Sequence, residues 1–73
     1  MNHLDLKLFA VIYQWSRWYK KDGRNYTPSN KGLAKELNVD YESIITSLDK
    51  LKELKLITIN IDDCGFRILN TNI

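Results

Sequence analysis

The spacing of apolar positions changes twice along the 73 residues. Through the first third, Leu4, Leu8, Val11, Ile12, Trp15 and Tyr19 recur every three or four positions. That is the period of one buried face of an α-helix. The pattern predicts a helix over residues 2–21, with Asn2 as N-cap and Asp5 in the first turn, where a negative charge suits the helix dipole. A second apolar set, Leu6, Phe9, Tyr13 and Trp18, falls off that stripe. A helix that is apolar nearly all round is covered on more than one side. The cover comes either from the rest of the monomer or from a second copy.

Residues 20–24 are polar and include Gly23, a helix stop. Pro28 and Ser29 then signal a new start, because a serine hydroxyl can accept from an orphan N–H of the first turn. Leu33, Ala34 and Leu37 supply one apolar stripe. Asn38 tolerates the left-handed conformation that ends a helix, and Asp40 can cap the next one. In that third helix Ile44, Leu48, Leu51 and Lys55 share a face, flanked by Ser47 and Leu54. Gly32 weakens the second helix by about 1 kcal/mol relative to Ala, a cost that close packing against the first helix would explain.

After Leu56 the period falls to two. Ile57, Ile59 and Ile61 alternate with Thr58, Asn60 and Asp62, as in a strand with one face inward. Asp62, Asp63, Cys64 and Gly65 make a turn. Residues 66–69 form the return strand, with Phe66 and Ile68 on one face, and residues 70–73 a frayed tail. The fold class is therefore α+β, three helices followed by a two-stranded β-hairpin. A short helix, a tight turn and a longer helix make a helix-turn-helix.

The run PSxxxLAxELxVxxxSIxxxLxxLxxLxLI, from Pro28 to Ile57, resembles the winged helix-turn-helix superfamily. It is similar to the small phage, plasmid and bacterial domains of replication initiators and transcriptional regulators. The resemblance implies one winged helix-turn-helix domain over residues 1–73, with the hairpin as the wing. It also implies a short strand at residues 25–27 that pairs with the base of the wing. The function it implies is DNA binding in transcriptional or replication control. It further implies a homodimer through helix 1, for which Phe9, Tyr13, Arg17 and Trp18 are the candidate protein-interface residues.

Composition narrows the classes. A content of 44% hydrophobic and 27% charged residues is globular rather than disordered. No apolar run approaches the roughly 20 residues a membrane span needs, and no signal peptide is recognisable. A cytoplasmic location with no membrane partner is expected, and the leading Met suggests a complete chain. One cysteine and one histidine supply neither an internal disulfide nor the ligand set of a zinc site. His3 lies at a terminus, and Cys64 sits beside Asp62 and Asp63, which disfavour a thiolate. No paired carboxylates or glycine-rich phosphate loop stand out. No catalytic residue, metal or cofactor is expected, and the chain does not read as an enzyme.

Binding is then the question. Opposite Ile44, Leu48 and Leu51 the third helix presents Glu42, Thr46, Asp49 and Glu53, with Tyr41 and Ile45 at the margins. A recognition helix normally lies in the major groove, and DNA affinity rests largely on Lys and Arg. Three carboxylates there, and Asp62 and Asp63 at the wing tip, depart from the pattern of the related domains. One carboxylate can accept from a cytosine amino group; three oppose a polyanion. They can equally form a solvated face paired with Lys50 and Lys52. The cations sit elsewhere: Arg17, Lys20, Lys21 and Arg24 around the end of helix 1, Lys31 and Lys35 on helix 2, Lys50 on helix 3 and Arg67 on the wing. The candidate contacts to double-stranded DNA are Asn30, Lys31, Lys35, Tyr41, Ser43, Thr46, Lys50 and Arg67. The alternative is a protein-interaction module, an inhibitor or adaptor of phage or plasmid type, meeting its partner through Glu42, Ile45, Asp49 and Glu53.

Overall fold

The computed structural model describes residues 2–72. Helix α1 runs His3–Lys21. It is started by a reciprocal cap in which the Asn2 side chain accepts from the Asp5 N–H at 2.8 Å and the Asp5 carboxylate accepts from the Asn2 N–H at 3.2 Å. It stops at Gly23, whose φ of 74° lets its own N–H and that of Arg24 turn back to the Lys20 and Tyr19 carbonyls. Helix α2, Asn30–Leu37, is capped by Ser29, which accepts from the Gly32 N–H at 2.9 Å. A Cβ on residue 32 would lie 3.1 Å from the Ser29 Oγ. The glycine therefore makes room for the cap, not for α1.

Asn38 takes the left-handed conformation, φ 56° and ψ 48°, and ends α2 as expected. Helix α3, Tyr41–Glu53, follows after two residues. Asp40 stands at the N-cap position, but its carboxylate accepts from the Ser43 hydroxyl and makes no bond to a backbone N–H. Lys55 was expected on the inner face of α3. It lies beyond the helix, left-handed at φ 59°, where the Leu56 N–H bonds back to the Leu51 carbonyl. Leu54 is 52% exposed.

Strands β1, Ile57–Ile61, and β2, Arg67–Thr71, pair antiparallel with Ile59 opposite Leu69 and Ile61 opposite Arg67. The turn is held by Asp62, whose carboxylate accepts from the Cys64 and Phe66 N–H groups at 2.9 and 2.8 Å. It is Leu69, not the face assigned to Phe66 and Ile68, that the return strand turns to the core. Directly opposed residues point to the same side of a sheet, so the Ile59–Leu69 pairing sends Leu69 inward. Leu69 is buried, Ile68 lies on the other face, and Phe66, outside the strand, is 62% exposed.

No strand forms at residues 25–27. The buried Tyr26 accepts a single bond there, from the Leu69 N–H at 2.9 Å. The expected frayed tail is anchored. Asn70 and Thr71 belong to β2, and Asn72 donates from its backbone to Leu56 and from its side chain to the Lys55 carbonyl. Ile73 lies outside the described residues.

All these elements feed one core: Leu8 and Ile12 of α1, Leu33 and Ala34 of α2, Ile44, Leu48 and Leu51 of α3, with Tyr26, Ile57 and Leu69. Val11, Trp15 and Tyr19, expected to face the core, are partly buried and pack against it. The centre of the buried face of α1 instead includes Asp5 and Ser16.

Candidate nucleic-acid interface

Because Ile44, Leu48 and Leu51 face the core, Glu42, Thr46, Asp49 and Glu53 of α3 face solvent, as the period requires. Tyr41 and Ile45 are exposed beside them. The expected pairing of these acids with Lys50 and Lys52 is not present. Among the described residues the ion pairs are Arg24–Asp22 at 2.6 Å and Lys50–Asp5 at 3.4 Å.

Lys50 turns to the other side because Asp5 is there. Asp5 is 1% exposed, yet it takes a hydrogen bond from the Ser47 hydroxyl, one from the Asn2 N–H, and the charge of Lys50. The Ser47 bond does most to hold its carboxyl below the ordinary 3.8, against the opposing effect of burial. The sequence reading placed Asp5 in the first turn but missed this second role. The available signal was its position, three residues before Leu8 and so on the same helix face.

The structure divides the eight candidate DNA contacts. Asn30, Lys31, Tyr41 and Arg67 line a groove of about 570 Å³ between the starts of α2 and α3 and the hairpin turn, together with Ser29 and Phe66. Among the described residues no carboxylate lines it. Lys35 is exposed further along α2. Ser43, Thr46 and Lys50 line a separate hollow that also holds Asp5, Asp40 and Glu42, an unfavourable place for a phosphate.

Within the groove, Arg67 does internal work. One terminal nitrogen donates to the Asn30 Oδ1 at 2.6 Å and the other to the Pro28 carbonyl at 2.8 Å. Its Nε is buried without a hydrogen-bond partner among the described residues. Burial lowers its pKa, and it stays charged. Arg67 and Asn30 therefore join the hairpin to α2 and lend the groove positive charge, while Lys31 is the exposed cation. Phe66 and Ile61, exposed at the hairpin turn, were not anticipated as surface residues.

The candidate interface on α1 also divides. Phe9 stacks with Tyr13 at 6.2 Å, and the Arg17 guanidinium lies 4.5 Å from the Tyr13 ring centre. Trp18 instead meets Trp15 and Tyr19 edge-on. At about 100° per residue Trp18 lies roughly 180° around the helix from Phe9. One flat partner cannot cover both.

Comparison with family models, with curated proteins and with solved structures finds no match to this chain. Among the described residues no group of three or more His, Cys, Asp or Glu is placed to hold a metal ion, and no helix is long and apolar enough to cross a membrane.

Proposed function

We propose that the three helices and hairpin form a winged helix-turn-helix that binds double-stranded DNA in transcriptional or replication control. The observation that carries this reading is the acid-free groove where Lys31, Tyr41 and Arg67 meet beside the hairpin. A phosphate backbone running along it meets the exposed Lys31 ammonium and the field of Arg67. Lys35 extends the positive edge along α2. Asp49 and Glu53 keep the body of α3 from lying flat in the major groove, so contact is made at Tyr41, which lines the groove while Glu42 lines the separate hollow.

The test is fluorescence anisotropy of a labelled duplex at rising salt. Affinity should fall steeply, and Lys31→Ala or Lys35→Ala should weaken binding to every sequence and reduce the salt slope by about 1. No binding at micromolar protein in low salt would remove the reading.

A second reading is a protein-interaction module. It is favoured by Glu42, Asp49 and Glu53, exposed around Ile45 without ion pairs among the described residues. Such a module would show no duplex binding and would lose its protein partner on Glu42→Lys or Asp49→Lys.

A further inference from the structure

The C-terminal half of α1 carries a second hollow, of about 660 Å³, whose lining includes Gln14, Arg17, Trp18, Lys20, Lys21 and, from β2, Asn70. It shares no lining residue with the α2–α3–hairpin groove. Among the described residues no carboxylate lines it. The nearest acid in sequence, Asp22, is held by Arg24 at 2.6 Å, and Arg17, Lys20 and Lys21 have no ion pair among the described residues. Three cations without an ion pair among the described residues thus lie within about one and a half turns of helix, one of them, Arg17, resting against the Tyr13 ring.

Trp18 lines the same hollow and is 53% exposed. Its ring is fixed by two nearly perpendicular neighbours, Trp15 at 5.9 Å and Tyr19 at 5.3 Å between centroids. An indole held in place costs little conformational entropy when something stacks on it. Cations for phosphates, an ordered aromatic for a base and side-chain amides for base edges are the ingredients of a single-strand site. A duplex does not suit it, since the base faces are stacked inside. An apolar protein partner does not suit it either, since among the described lining residues Trp18 is the only large apolar side chain.

We propose that this α1–β2 hollow binds single-stranded nucleic acid, with a base stacked on Trp18 and the backbone neutralised by Arg17, Lys20 and Lys21. The site goes beyond the duplex reading and stands without it.

The experiment is titration of the whole chain with a short oligothymidylate, followed by tryptophan emission. Emission should be quenched, and log affinity against log salt should have a slope of about −2, from three neutralised phosphates at about −0.7 each. Trp18→Ala should remove most of the quenching and weaken binding at least about five-fold. The double variant Lys20→Glu, Lys21→Glu changes only exposed side chains. It should abolish binding with the circular dichroism unchanged, which keeps the test independent of how Trp18 packs. Lys31→Ala should leave oligothymidylate binding as it was, whatever it does to duplex binding. The proposal is overturned by the absence of quenching in low salt, by quenching that survives the double lysine variant, or by a loss on Lys31→Ala as large as on the lysine reversals. It is also overturned if Lys20 and Lys21 instead support salt-sensitive self-association, which would assign the hollow to an acidic protein surface.

Discussion

Ser47 on α3 donates its hydroxyl hydrogen to the buried carboxylate of Asp5 on α1, 42 residues away in sequence. The same carboxylate caps α1 through the Asn2 N–H and sits 3.4 Å from the Lys50 ammonium. One side chain thus starts the first helix and fixes the third against it. Its folded pKa lies below the ordinary 3.8. Because the shift is downward, the contribution is complete above about pH 4 and is lost as pH falls through the lower folded value. Denaturation curves across that window should show Asp5→Asn flattening the acid loss of stability. Asp5→Ala, which strands Ser47 and Lys50, should cost about 2–4 kcal/mol at neutral pH.

Arg67 is the corresponding tie between the hairpin and α2. Its fork reaches the Asn30 side chain and the Pro28 carbonyl together. Charge-assisted bonds of this kind contribute about 1.5–3 kcal/mol. Arg67→Ala should lower stability by that order in urea and speed hydrogen exchange at the Leu69 amide, which bonds to Tyr26. Arg67→Lys should recover little, since an ammonium cannot make both bonds in one plane.

The order of elements was legible because each start and stop uses local chemistry: Asn2, Ser29, Asn38 and Gly23 act within a few residues of themselves. The α3 face was legible because Ile44, Leu48 and Leu51 define it without help from elsewhere. What could not be read were pairings set at a distance. The inward face of β2 depends on a turn closed by Asp62, and a one-residue change in register reverses it. The internal use of Lys50 and Arg67 depends on Asp5 and Asn30, each more than thirty residues away. Those two pairings decide which cations remain for a polyanion, so the candidate site was less legible than the fold that carries it.

Gly32 and Ser29 compete for the same space. Alanine in a helix interior is worth up to about 1 kcal/mol over glycine, but here its Cβ would press on the capping hydroxyl at 3.1 Å. Gly32→Ala alone should therefore gain well under 1 kcal/mol. Ser29→Ala alone should lose about 1 kcal/mol with the cap. In the Ser29→Ala background Gly32→Ala should recover its full gain. A double-mutant cycle by thermal denaturation reads this coupling directly, and additive changes would mean that the cap and the glycine do not interact.

A homodimer through α1, were one to form, would have to choose a side, because Phe9 and Trp18 lie on opposite flanks of the helix. Leu6, half exposed, extends the Phe9–Tyr13 flank into the longer apolar strip. Trp18 shares a hollow with Lys20, Lys21 and Arg17, whose mutual repulsion opposes a two-fold contact there. Leu6→Glu places a charge on the apolar strip without disturbing a core residue, and it should convert any such dimer to a monomer in sedimentation equilibrium. Trp18→Glu should leave the dimer intact, since it lowers the positive charge of a flank that makes no contact. Dissociation by Trp18→Glu and not by Leu6→Glu would reverse the assignment, and a dimer that withstands both changes would place the contact off α1 altogether.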